Sequence, residues 1–427
     1  MIFEKTFDGG LRLLVEPTAA TDVAAVGVWY NFGSRDEDLT QAGSIHVIEH
    51  MLFKGTKDIS ASQIARRFDA MGGFVNAFTE RETMGIHATI PVTGFEEAAR
   101  IITDIITSAR FDPDEYEREL LVIENEIEAS LDDVEELATD AFAVRYWDKH
   151  PLARPIGGTV KDIKNKKRDD VYALFETYFR GKPDLITVAG GIEPAQVVSA
   201  FKDLIQSAAE KRTVPRPVQL QPELPLTKGV SYHNLSSQYV QVFYALPGPD
   251  HIDDRNYYAL EIANAAIGDA MGSRLFQKLR EELGLCYTIY SSPNLFRDCS
   301  MFSVYGTCAV SNGIELLEKI HTEIREIAEH GFTPDEIETA KSHLRGMITI
   351  ASQDVEYRMR RLARQALYNG AIMNCTESID TLMSIDMEVI QKSMAQFMKY
   401  PPVIFGAGPK KAAKAFSRRV EQILQSL

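Results

Sequence analysis

Apolar residues along the chain fall into two patterns. Short, nearly unbroken runs at Val23–Asn31, Gly85–Pro91, Leu185–Gly190, Val240–Ala245, Met301–Cys308 and Val403–Gly406 read as buried strands. Between them, residues 94–109 (GFEEAARIITDIITSA) and 313–329 (GIELLEKIHTEIREIAE) place apolar side chains at three- and four-residue intervals, the signature of amphipathic helices. The opening residues read as two strands joined by a turn at Asp8-Gly9-Gly10. Strands and helices alternate irregularly. This predicts an α+β fold built from αβ sandwiches, each a mostly antiparallel sheet carrying helices, rather than a doubly wound parallel fold.

The two halves of the chain look like copies. Phe111-Asp112-Pro113-Asp114-Glu115 recurs as Phe332-Thr333-Pro334-Asp335-Glu336, at an offset of 332 − 111 = 221. Both carry the marks of a helix start: a capping Asp or Thr, Pro at the first helical position and Glu three residues after the cap. Each follows an amphipathic helix, and each half ends in a buried strand and a further helix. The segment 208–229, with its several prolines and little apolar periodicity, reads as an extended linker. The expected domains are 1–207 and 230–427.

Composition narrows the function. With 46 Lys and Arg against 61 Asp and Glu, the net charge of −15 argues against a nucleic-acid binder. No apolar run reaches the roughly 18 residues of a membrane helix, and the first residues lack the apolar core of a signal peptide. The four cysteines have no CxxC spacing, so neither a disulfide framework nor a cysteine metal site is indicated. A cytoplasmic protein without membrane partners is expected. Phosphate-cradling GxxxxGK and dinucleotide GxGxxG motifs are absent.

The chemistry concentrates in Gly43–Thr56. His46 and His50 stand four apart, so on a helix both imidazoles project from one face and can chelate one cation, which the donor types suggest is Zn²⁺. Glu49 lies beside them, completing HxxEH, the inverse of HExxH. A third ligand is available from the helix after Asp112. There Glu119 and Glu126, seven positions apart, share a face; Glu126 suits a ligand and Glu119 a partner for an imidazole N–H. The repeat offset maps these two to Ala340 and Met347, and the second half has no HxxEH. The metal therefore belongs to the first half alone.

These residues resemble the pitrilysin and mitochondrial processing peptidase family, the inverzincins. His46–Thr56 is similar to the family's zinc helix, and the interval from His50 to Glu126 (126 − 50 = 76) matches its gap to the third ligand. Gly33–Glu37 is similar to its GSR-x-E lead-in and Gly73–Thr79 to its NAxT edge strand, and His150–Thr159 also resembles family sequence. In the second half, Gly272-Ser273-Arg274-Leu275-Phe276 leads to Arg280 and Tyr287, similar to the family's Arg/Tyr pair. Ile45 and Val47 depart from the small and aromatic residues usual around the first histidine, an apolar change that touches packing more than metal binding.

The resemblance implies a zinc metalloendopeptidase that hydrolyses peptides or unfolded polypeptide segments. Zinc would sit on His46, His50 and Glu126, activating a water with Glu49 as general base. Residues 1–207 would form the zinc-binding catalytic domain, and 230–427 a degenerate repeat. Substrate would add as a strand along Asn76, Ala77 and Phe78, and Arg280 and Tyr287 would donate to the scissile carbonyl and oxyanion. Two αβ units, rather than four, imply the shorter, dimeric branch: a homodimer closing around a chamber, with one subunit's zinc facing the Arg/Tyr pair of the other. The alternative is a non-catalytic structural or peptide-holding relative of the same fold.

Overall fold

The structure is a computed structural model that describes residues 1–19, 21–210 and 232–425. Most of the expected linker, 211–229, lies outside the described residues. The chain divides into two compact units.

Unit 1 is built on a six-stranded sheet of β1 (Phe3–Thr6), β2 (Arg12–Pro17), β3 (Val23–Tyr30), β4 (Phe74–Thr79), β5 (Met84–Pro91) and β6 (Leu185–Gly190), in the order β1-β2-β6-β3-β5-β4. All neighbours are antiparallel except β2 and β6. On one face, Leu13, Val26, Val28, Ile86 and Val188 pack with α1 (Ser44–Leu52), α2 (Ala61–Met71), α3 (Phe95–Ser108) and α4 (Pro113–Ser130). On the other, Leu14, Ala25, Trp29, Leu185 and Ala189 meet Val355, Met359, Leu362 and Ala363 of the helix Val355–Arg364. With both faces covered, the central strands have no reason to alternate polar and apolar residues, which is why they appear as continuous apolar runs.

Unit 2 carries a five-stranded sheet, β7 (Tyr232–Asn234), β8 (Tyr239–Pro247), β9 (Thr288–Leu295), β10 (Ser300–Ala309) and β11 (Val403–Gly408), in the order β7-β11-β8-β10-β9. Among the described strands, its one parallel pair is β7 with β11. Without β1, the first sheet has the same order and the same strand directions, so the internal repeat extends to the topology of both units. The fold is α+β, with two homologous αβ sandwiches.

The units are not contiguous halves. Residues 130–153 belong to unit 2, where α5 (Val134–Trp147) lays Ala138, Phe142 and Tyr146 against Phe243, Phe405 and Tyr305. Residues 350–375 belong to unit 1, where Arg358 and Arg361 both pair with buried Glu16 of β2. The starts of α5 and of the helix Val355–Arg364 differ by the repeat offset (355 − 134 = 221), and each helix is capped by an Asp, Asp133 and Asp354. They are the two copies of one element. The expectation of contiguous domains at 1–207 and 230–427 is corrected in this respect: each sheet draws the cover for its second face from the other half of the sequence. Hydrophobic periodicity specifies that a helix has an apolar face, not which of two similar sheets receives it.

Candidate metal centre

Helix α1 buries Ser44, Ile45, Val47, Ile48, Met51 and Leu52, leaving His46, Glu49 and His50 on its open side. Its start is unusual. The preceding Gly43 has φ +83° and lies so near Gly157 that a Cβ would come 2.5 Å from the Gly157 carbonyl oxygen. A glycine at this position has no side chain with which to cap the helix. Glu37 caps it from outside, accepting from Gly43 N at 2.9 Å and Ile45 N at 2.7 Å, so two otherwise orphaned amides are satisfied. Burial pushes the Glu37 carboxyl up to about 7, against the pull of these amides and of Lys166 and Arg154. Arg35, fully buried, pairs with Glu82 in the β4–β5 turn, tying the segment before α1 to the end of β4.

Helix α4 packs Tyr116, Leu120 and Ile123 into the core with Glu119 among them, and Glu126 follows on the same side. Here α1 and α4 meet. His50 Nε2 is 3.4 Å from Glu126 Oε2, and His46 Nε2 is 3.8 Å from Glu126 Oε1. One donor atom from each of His46, His50 and Glu126 lies within 4.8 Å of the others, the one such group of three among the described residues. Two ligands on one tetrahedral zinc stand roughly 3.3 Å apart, since each bond is about 2.0–2.2 Å. The donor set therefore fits zinc with small inward movements, and three protein ligands leave the fourth position open, as in catalytic sites.

The surroundings of His46 suit a neutral imidazole. Burial, the largest influence, lowers the pKa of His46, with His50 adding to the effect and Glu49 and Glu126 opposing it. His50 Nδ1 lies 3.1 Å from Glu119 Oε2, an arrangement that puts the ring proton on Nδ1 and frees the Nε2 lone pair. Glu119 is buried and also receives Lys54 Nζ at 2.6 Å. Glu49 Oε2 accepts from Thr79 Oγ1 at 2.7 Å.

The remaining candidates fall as follows. Strand β4 is an edge strand, paired among the described strands with β5 alone. Asn76 is exposed, its Oδ1 accepting from Ala77 N, while Ala77 is buried in the core and Phe78 packs against Trp29 on the opposite face. What β4 offers at its free side is therefore main chain. Arg280 and Tyr287 lie together in unit 2: the guanidinium is 4.5 Å from the Phe276 ring centre and 5.9 Å from that of Tyr287, a residue that is 79% exposed. At the repeat positions of Glu119 and Glu126, Ala340 is buried and Met347 exposed. Sequence reasoning assigned no role to Glu37, Lys54 or Glu82. Glu37 and Lys54 were marked only as members of the Gly33–Glu37 and His46–Thr56 stretches and Glu82 only by its nearness to β4, because a partner can lie far along the chain, as Glu119 does from Lys54.

Comparison with known proteins bears on this geometry. Residues 12–160 match the family described as insulinase (peptidase family M16), and residues 166–344 match the peptidase M16 inactive domain. An uncharacterized zinc protease of Mycobacterium leprae is 30% identical over 425 residues, covering 97% of this chain and 93% of its own. One from Streptomyces coelicolor is 29% identical over 418 residues, covering 96% and 90%. Among solved structures, a peptidase M16 inactive domain from Pseudomonas fluorescens superposes with TM-score 0.86 at 18% identity, covering 96% of this chain and 98% of that one. A protease from Helicobacter pylori gives 0.85 at 17%, covering 96% and 99%.

Proposed function

The chain belongs to peptidase family M16, and from that premise we propose that it is a zinc-dependent endopeptidase acting on peptides or unfolded polypeptide segments. The observation that carries the reading is the convergence of His46, His50 and Glu126 with Glu49 beside them. The relatives' description as zinc proteases agrees with this donor set.

His46, His50 and Glu126 would hold the ion, with Glu119 orienting His50. Bound there, zinc would supply Lewis-acid polarisation of a carbonyl and acidify a water molecule. Glu49 would take the proton from the attacking water and pass it to the leaving amine. Thr79 keeps that carboxylate turned toward the end of β4. The free main chain of β4 around Asn76 would pair with an extended substrate, giving affinity with little demand on side-chain identity. Arg280 and Tyr287 would donate to the scissile carbonyl and the developing oxyanion. In this proposal the protein works as a homodimer in which Arg280 and Tyr287 of the partner subunit complete each site.

The test is zinc content measured with cleavage of an unstructured peptide, with and without a chelator. About one zinc per chain and chelator-sensitive cleavage are expected. A chain that binds zinc and cuts nothing would instead be a non-catalytic relative of the same fold.

A further inference from the structure

Glu119 is held from both sides. One carboxylate oxygen faces His50 Nδ1 at 3.1 Å and the other Lys54 Nζ at 2.6 Å. The backbone N–H of Lys54 donates to the Met51 carbonyl at 3.1 Å, so the lysine is anchored on the last turn of the helix that carries both histidines. Its side chain reaches from there to α4. We propose that Lys54 is a positioning residue of the metal centre: by binding the second oxygen of Glu119 it locks the carboxylate in the orientation that directs His50 Nε2 toward Glu126. The inference rests on the zinc reading above and adds a residue that reading does not use.

The physical argument concerns rotation and charge. A carboxylate anchored through one oxygen swings about its terminal bond, because that torsion is broad. A second, charge-assisted contact at 2.6 Å removes this freedom. Glu119 and Glu126 also share a face of α4, and two carboxylates there repel. The Lys54 ammonium, bound to the oxygen of Glu119 that His50 does not use, holds Glu119 back from the space between the histidines and Glu126. Without it, Glu119 is drawn toward a bound cation and gives up the imidazole. The bland alternative is a partly exposed ion pair of little consequence, Lys54 having 29% of its side chain exposed.

The two are separated by zinc affinity, measured on the full chain by competition with a chromogenic chelator using the metal alone. K54M should weaken zinc binding about tenfold, within the range typical for residues that support metal ligands, while the metal-free protein still unfolds in a single cooperative transition. In an E119Q background the same change should weaken binding less than about twofold, because its route of action is gone. K54Q serves as a second variant should K54M fold poorly. Wild-type zinc affinity in both lysine variants, or an equal loss with and without Glu119, would overturn the proposal. A wild-type chain that takes up no zinc would overturn the metal reading itself, a failure distinct from this one.

Discussion

Thr79 Oγ1 donates a hydrogen bond to Glu49 Oε2 at 2.7 Å, joining the last residue of edge strand β4 to the carboxylate between the two histidines. The strand proposed to take substrate and the group proposed to move the proton are thus in register through one side chain. A T79V variant keeps the shape of residue 79 and removes the donor. Its kcat should fall about tenfold, the scale of one hydrogen bond to a charged group, with a smaller change in KM. Steady-state kinetics on a single-site peptide would read this, and an unchanged kcat would remove Thr79 from the mechanism.

Glu49 is not among the three converging ligand atoms. An E49Q variant should retain zinc at wild-type stoichiometry yet lose about 10²–10⁴-fold in turnover, the usual contribution of a general base. Metal analysis beside the cleavage assay separates this from loss of the ion, which H50A should cause. Full turnover in E49Q would end the base assignment.

If Arg280 and Tyr287 of the partner subunit complete the site, two inactive variants should rescue each other. In randomly mixed E49Q and Y287F dimers, half are mixed and each of those holds one intact site, so about a quarter of wild-type activity should return. Mixtures as inactive as their components would place the pair in the same subunit's site, and a fully active Y287F would place it outside the site.

Glu37 ties stability to pH. Its carboxyl is pushed from 4.5 to about 7 in the folded chain, mainly by burial. The folded state therefore holds this proton more tightly than the unfolded state, and the contribution to stability declines as pH rises from about 4.5 to about 7, then levels. Gln cannot ionise. The difference in melting temperature between wild type and E37Q, measured without metal, should move against the wild type across that window; a constant difference would contradict the shift.

Glu16 receives Arg358 at 2.9 Å and Arg361 at 2.7 Å, an ion-pair network at the seam between β2 and the helix Val355–Arg364. An E16A variant removes the carboxylate that Arg358 and Arg361 share, leaving them their acceptors Ser352 O and Gln365 Oε1, and should cost about 3 kcal/mol, the low end for breaking a buried pair from one side. Denaturant unfolding would measure it. A loss within roughly 0.5 kcal/mol, that of an ordinary surface substitution, would argue that this helix does not depend on the contact.

The spacing of His46, Glu49 and His50 puts their side chains on one face of a helix, because an interval of four is close to one helical turn. The same arithmetic joins Glu119 to Glu126, and the echo of Phe111–Glu115 in the second half announces two copies of one fold. Periodicity works at this range because the geometry of a helix or strand is local. What it left open follows one pattern. Asp133 and Asp354 cap their helices through near neighbours, yet nothing near α5 states that its apolar face covers the sheet of unit 2.

The sequence by itself determined the types of element, the repeat and the helix face that gathers His46, Glu49 and His50. Only the tertiary structure decided which sheet receives each exchanged helix, that Glu37 caps α1 from outside, and that Lys54 and His50 share Glu119. The reason is physical: backbone periodicity is fixed by bonds between near neighbours. A buried carboxylate instead takes whatever donors folding brings to it, and those come from parts of the chain that share no local pattern.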